Sequence, residues 1–441
     1  MKSLCFGVFL LFVLVGQVKA GQDGIRYTLD SVLQTASRQN YDLASVQAEM
    51  DAMRADYRKS LSLFLPQLSV SEIYTRTNDP LNVFGLKLKQ EIVTQADFNP
   101  VTLNQPKAVD NYTTKLEWRQ PLLNMDGFFG FRAASSGVKA MEEKSKRTSY
   151  YITYQAKIAY YQLLVALQSR EVIRKALTAA QTGSEQARNF YDQGLIRRSD
   201  VLFAELRLKE LEAKQLETEN MIDNANNQLK LLMGLSGDEV IIPTDTLGGP
   251  LALEMTTPHD MTNRSDIRAM RYQMSAQRAM QSMAWSKFLP SINGFATYEY
   301  NDASLFGRQA KNWMVGAMLR WDIFSGFDQI SAIQKSTAQY RQTETGYKKA
   351  LTQSQYDLNA ALRQWKVSTR QVVIAEQAVQ QSEENYRVLS DRYHQGLDRT
   401  TDLLMAEAAL SQARLQLIHA RFAWHAAMFT VELLTEQSIK N

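Results

Sequence analysis

Four stretches of the chain alternate apolar and polar residues with the period of two that marks a strand. In 312–323, Trp313, Val315, Ala317, Leu319, Trp321 and Ile323 share one face, opposite Asn312, Met314, Gly316, Met318, Arg320 and Asp322. In 112–119 the faces are Tyr112, Thr114, Leu116, Trp118 and Thr113, Lys115, Glu117, Arg119. In 291–300, Ile292, Ala296, Tyr298 and Tyr300 oppose Ser291, Asn293, Thr297 and Glu299. A fourth stretch, 67–76, is less regular: Leu68, Val70 and Tyr74 oppose Gln67, Ser69, Ser71 and Thr75, but Glu72 falls on the apolar side. Strands are expected at about 67–76, 112–122, 291–300 and 312–323. Tyr and Trp crowd their ends, and the polar faces carry open charge, as in strands lining a wet lumen inside lipid.

The period then changes to that of helices. Positions 201, 204, 208, 211, 215, 218, 222, 225, 229 and 232 repeat every 3.5 residues and are mostly apolar; the corresponding positions from Leu403 to Leu434 are all apolar. Such seams predict left-handed coiled-coil packing. No proline occurs between Pro121 and Pro243 or after Pro290, so helices of roughly 127–192 and 326–394 can run unbroken for ~100 Å. The two halves follow one plan. Phe64-Leu65-Pro66 matches Phe288-Leu289-Pro290, Leu116-Glu117-Trp118 matches Leu319-Arg320-Trp321, and Tyr191-Asp192-Gln193-Gly194-Leu195 matches Tyr393-His394-Gln395-Gly396-Leu397. These matches imply an internal duplication, each half a long helical hairpin whose tip is the Gly-Leu turn. The repeat is far longer than a solenoid unit.

Composition narrows the function. The chain has 441 residues with 45% hydrophobic, enough for a large core, and only 20 Gly and 9 Pro, which suits long helices. Residues 1–20, with Lys2, an apolar run from Leu4 to Val15 and the ending Val18-Lys19-Ala20, read as an export signal. The single cysteine, Cys5, lies inside it, so the exported chain is expected to lack disulfides and thiol chemistry. Without Lys2 and Lys19 the balance is 48 Lys and Arg against 46 Asp and Glu, too even to favour a nucleic-acid partner. His259, His394, His419 and His425 form no i, i+4 pair and read as packed or solvated. No nucleotide, hydrolase or metalloprotease motif is present, so no enzyme activity and no cofactor are expected. After the leader no apolar run is long enough for a spanning helix; a membrane crossing must use strands. Four strands cannot close a barrel alone, so several chains must share one.

Together, the leader, the duplicated strand pair and hairpin, the Phe-Leu-Pro before each first strand and the Gly-Leu tip followed by Asp200 or Asp402 resemble the TolC family of outer-membrane efflux proteins. The likeness spans roughly 29–436. It implies a mainly α fold with a small β part: duplicated hairpins forming a coiled-coil tunnel in the periplasm, and four strands per chain joining a shared trimeric barrel. The implied layout is a signal peptide at 1–20, a first repeat at 21–234, an equatorial linker at 235–262, a second repeat at 263–436 and a tail at 437–441. The implied partners are two further copies (a homotrimer), outer-membrane lipid, a periplasmic adaptor and an inner-membrane pump of the RND or ABC type. By family position, Gly194, Leu195, Gly396 and Leu397 would meet the adaptor; Asp200, Tyr393 and Asp402 would form the periplasmic gate, with Asp200 and Tyr393 bonded. Where some members have a basic and a second acidic residue, this chain has Asp398 and Met405. The function implied is a passive exit duct for efflux or type I secretion. An exported coiled-coil scaffold or adhesin is the alternative; it would have no use for strands ending in Trp and Tyr.

Overall fold

The computed structural model describes residues 24–250 and 260–438. The leader at 1–20 and Cys5, His259 and part of the linker and tail lie outside the described residues. In chain order the described elements are β1 (Ile25–Tyr27), α1 (Leu29–Gln39), α2 (Tyr41–Ser60), β2 (Gln67–Thr77), α3 (Pro80–Lys89), α4 (Pro100–Asn104), β3 (Val109–Leu123), α5 (Met125–Asp192), α6 (Arg198–Met233), β4 (Ile241–Pro243), α7 (Ser265–Ser286), β5 (Ser291–Asp302), β6 (Ala310–Arg320), α8 (Asp328–His394) and α9 (Thr400–Thr435), with short 3₁₀ turns between. Among the described residues no helix is long and apolar enough to cross a membrane.

The two longest helices, α5 and α8, run 68 and 67 residues, the unbroken lengths that proline placement allows. Each folds back on its partner, α5 on α6 and α8 on α9; α5 also packs on α9, and the shorter α2 and α7 pack on α5, with α7 reaching α8 as well. This places α5 and α9 centrally and leaves α6 and α8 on the flanks. Burial follows position. On α6 one seam is buried: Val201, Ala204, Leu211, Thr218, Ala225 and Leu229. On α9 the expected seam through Ala406, Leu410, Ala413, Trp424, Ala427 and Val431 is joined by a second, through Leu404, Glu407, Ser411, Ile418, His425, Met428 and Glu432. A single seam was expected, but α9 must meet α8 on one side and α5 on the other, and two neighbours need two stripes.

The main core gathers Ile152, Tyr160, Leu163, Leu229, Met233, Trp424, Met428 and Phe429 with Val32 and Ile241. Here β1 pairs in parallel with β4, Ile25 opposite Ile241. The Tyr160 hydroxyl donates to Asp245 Oδ2 at 2.6 Å, and that carboxylate accepts the Leu29 backbone N–H at 2.8 Å at the start of α1. An equatorial segment at 235–262 was expected, but the pairing of its β4 with β1 was not, because three-residue strands carry no periodicity.

The four longer strands form one antiparallel sheet in the order β2-β3-β5-β6. Its termini differ from expectation. β3 begins at Val109, and β6 ends at Arg320, leaving Trp321 and Ile323 beyond it. Trp321 turns away to donate its indole N–H to the Phe288 carbonyl at 3.0 Å, and Gly326 and Phe327 with positive φ redirect the chain into α8.

Candidate functional site

Two ends of the molecule carry the features that sequence singled out. The first is the pair of hairpin tips. At the end of α5, Leu195 N–H donates to the Phe190 carbonyl and Gly194 N–H to the Tyr191 carbonyl, both at 2.8 Å. At the end of α8, Leu397 and Gly396 repeat this with Arg392 and Tyr393 at 3.0 and 2.9 Å. Both glycines have φ of 73°, the left-handed conformation of a Schellman cap that would strain any residue with a Cβ. The turn therefore fixes each following leucine outside the helix, where Leu195 is 67% and Leu397 62% exposed. Two apolar side chains are thus held in solvent at matching points.

The tips are alike in backbone and unlike in chemistry. At the second, Arg392 Nε donates to Asp398 Oδ2 at 2.7 Å and Nη2 to Oδ1 at 3.1 Å. The guanidinium holds the Asp398 carboxyl below the ordinary carboxylate range, and the carboxylate raises Arg392 in turn. At the matching positions of the first tip stand Phe190 and Ile196; Ile196 packs against the small cluster of Ala187, Val201, Ala204 and Leu404.

The structure places the expected gate residues near these tips without joining them. Tyr393 is buried, and its hydroxyl lies 3.3 Å from Thr400 Oγ1 at the start of α9. Asp200 accepts the Arg197 backbone N–H at 3.2 Å, the reciprocal half of a capping box on α6. Within one chain, then, Tyr393 bonds Thr400 and Asp200 caps its own helix. Asp402 is an exposed carboxylate in the first turn of α9, favourable to the helix N-terminus. Met405 is likewise exposed.

One contact near the tips escaped sequence reasoning. Arg207 Nη2 of α6 donates to Glu407 Oε2 of α9 at 3.3 Å, and the Ser411 hydroxyl donates to Glu407 Oε1 at 2.6 Å. Glu407 is buried, and it ties the first hairpin to the second. Its place beside seam residue Ala406 is where interhelical ion pairs form. Its partner, though, stands two hundred residues away, and no local signal names it.

The second end is the sheet. Its register stacks like with like. Leu116 faces Val70 and Tyr298, Trp118 faces Leu68 and Ala296, and Tyr298 and Ala296 face Trp313 and Val315. The other face aligns Ser69, Glu117 and Thr297, then Ser71, Lys115 and Glu299. The four faces read separately from sequence thus merge into one apolar and one polar surface. Glu72, the exception on the apolar side, accepts the Thr114 hydroxyl and the Phe306 backbone N–H. Trp313, Val315 and Leu319 are strongly exposed, and so are Leu68 and Val70 on the opposite edge strand.

The sequence profile described as outer membrane efflux protein matches residues 32–235 and 261–435. The chain belongs to that family. It is an outer-membrane channel protein whose fold has a helical tunnel part and a β part. Among curated relatives it is similar to the protease secretion protein PrtF of Dickeya chrysanthemi, 22% identical, covering 81% of this chain and 80% of that one. It is also similar to the outer membrane protein TolC of Vibrio cholerae, 21% identical, covering 93% and 92%. Among solved structures it shares the fold of a membrane protein from Pseudomonas aeruginosa, with a TM-score of 0.81 at 18% identity over 92% of each chain.

Proposed function

We propose that three copies of this chain assemble into one passive exit duct, and that its β part crosses the outer membrane as a shared barrel. The observation that carries the reading is the sheet: one face apolar and exposed, the other charged, with β2 and β6 as open edges. An unpaired edge in lipid leaves backbone groups unsatisfied at several kcal/mol each. Pairing β6 of one copy with β2 of the next removes every edge.

In this reading transport is driven by an inner-membrane pump of the RND or ABC type reached through a periplasmic adaptor, in keeping with a sequence that carries no nucleotide-binding motif. Leu195 and Leu397, displayed by Gly194 and Gly396, are the adaptor contacts in this reading. Asp200, Tyr393 and Asp402 line the closed periplasmic end. The division into repeats at 21–234 and 263–436 around the 235–262 linker belongs to the same proposal. The family's description names efflux and the name of the relative PrtF names protein secretion, and the same duct serves either.

The test is assembly and conduction together. The mature chain purified in detergent should have the mass of a trimer and form ion-conducting channels in planar bilayers. A stable water-soluble monomer that forms none is the outcome that overturns the proposal and returns the chain to the scaffold reading.

A further inference from the structure

The connection between β2 and β3 does not extend away from the sheet. It folds back onto the polar face. Gln90, 1% exposed, donates through Nε2 to the Asp110 carbonyl and to Asn111 Oδ1, each at 2.8 Å. Asn111 Nδ2 donates in turn to Thr113 Oγ1 at 2.8 Å and Asn301 Oδ1 at 3.1 Å. Lys89 Nζ pairs with Glu299 at 3.4 Å. The register puts Asn111, Thr113, Glu299 and Asn301 on the polar face. Contacts of α3 with both β3 and β6, the far edge of the sheet, carry the segment across that face.

The segment also has a fold of its own. Val83 is fully buried, Phe84 meets Phe98 edge to face at 5.6 Å, and Lys87 pairs with Asp97 at 2.6 Å. That pair and the Thr94 N–H hold the Asp97 carboxyl down at about 2. The shorter connection between β5 and β6 behaves differently. Its Phe306 N–H reaches Glu72, which lies on the apolar side. Of the two connections at this end, it is 78–108 that docks on the charged surface.

We propose that residues 78–108 form an inward-folded constriction at the outer mouth of the channel, clipped to the barrel wall by Gln90 and Lys89, which restricts the entry of large solutes from outside. The inference rests on the trimeric-channel reading, in which the polar face lines the lumen. Four strands from each of three chains make about twelve; barrels of eight are filled by their side chains and those of sixteen leave an open aqueous pore. Three such segments in a barrel of intermediate size narrow it substantially. The Lys89–Glu299 and Gln90–Asn111 contacts are the two places where the segment can be released from the wall.

The mature chain contains no cysteine once the leader with Cys5 is removed, so a reversible clip can be built. Lys89→Cys with Glu299→Cys, purified as the full assembly, is measured in planar bilayers before and after a short bis-thiosulfonate cross-linker, then after reductant. Deletion of 82–104 and the Gln90→Ala, Lys89→Ala variant are measured beside it. With every form carrying Tyr393→Phe and Asp200→Ala so that the periplasmic end does not limit the current, the expected result is a rise in single-channel conductance, about twofold or more, for the deletion, the released variant and the reduced pair, and a return to the value of that background when the pair is linked. Cells carrying the deletion should become sensitive to large antibiotics that the parent excludes. Equal conductance in parent, deletion, linked and reduced forms would overturn the constriction, as would failure of the two cysteines to link in a conducting channel. A parent that conducts nothing would instead overturn the channel reading itself, and the constriction with it.

Discussion

His425 shows how one residue can set a condition on stability. It is 4% exposed on the second seam of α9, with Tyr161, Trp424 and Phe429 around its ring at 4.3, 4.7 and 5.9 Å. No side chain among the described residues hydrogen-bonds either ring nitrogen, and the Gly248 backbone is the polar group that reaches the ring. The charged groups beside the neighbouring Tyr161 and Phe429 rings are paired elsewhere: Lys157 with Glu432, and Asp245 with Tyr160. Burial pushes the imidazole down from 6.5 to about 4, and the Gly248 backbone opposes this only in part. A depressed histidine is neutral in the fold and charged when unfolded at mildly acid pH. Its stabilising contribution is therefore complete above about 6.5 and is lost as pH falls toward about 4, at no more than ~1.4 kcal/mol per pH unit. Melting of the helical signal followed from pH 7 to 4.5 should show this decline, and His425→Phe should flatten it. An unchanged slope would mean that other groups govern the acid response. Sequence gave only half of this: a packed or solvated histidine was foreseen, but a choice between the two needed the aromatic shell that α5 contributes.

At the scale of elements, the two hairpins share a backbone plan and differ in what closes their tips. The Schellman geometry was legible because Gly-Leu recurs at a matched distance from each strand, and only glycine takes φ of 73° without strain. Which side chains meet there was not. Tyr393 with Thr400 and Asp200 with the Arg197 N–H are contacts inside one hairpin each, while Arg207 with Glu407 crosses between hairpins. The tip end of the molecule thus has local caps and an inter-hairpin tie. Of these only the Arg207–Glu407 pair is both charge-assisted and largely buried; such bonds are worth about 1.5–3 kcal/mol, and three copies multiply the bias. Tyr393→Phe with Asp200→Ala should raise single-channel conductance in bilayers by loosening both tips. Asp402→Ala should weaken cation preference with less effect on conductance, since an exposed ring of three carboxylates acts on charge and not on width. If the double variant conducts like the parent, closure rests on the Arg207–Glu407 tie or the Arg392–Asp398 pair.

For the whole molecule, the separation of faces decides where it can sit. Each strand alone is an ordinary amphipathic segment. Registered as β2-β3-β5-β6, they join into one apolar surface that runs from Leu68 and Val70 through Leu116 to Val315 and Leu319. A charge there must enter lipid, at a cost of ~2–4 kcal/mol near the midplane. A charge on the other face meets water and Glu117. Val315→Arg should therefore cut the carbonate-resistant, assembled fraction of the protein sharply, while Ser69→Arg, opposite Glu117, should leave it near the parent level. Equal loss in both would mean that the faces are assigned the wrong way round or that neither meets lipid.

The division between sequence and tertiary structure follows the range of the interactions. Periodicity, proline spacing, glycine turns and the duplication are local or repeated signals, so the strands, the long hairpins and the Gly-Leu tips at 194–195 and 396–397 could be read directly. The alternation of Trp313 to Leu319 even dictated which side would be apolar. What depended on distant partners could not be read. The second seam of α9 exists because α5 lies beside it. The β1–β4 belt joins residues more than two hundred apart. The long, apolar, proline-bearing connection between the first two strands suggests a segment folded over the barrel mouth, but its anchoring partners, Asn111 for Gln90 and Glu299 for Lys89, come only from the tertiary structure. A side chain's type limits the partners it can take; the path of the chain decides which of them comes within reach.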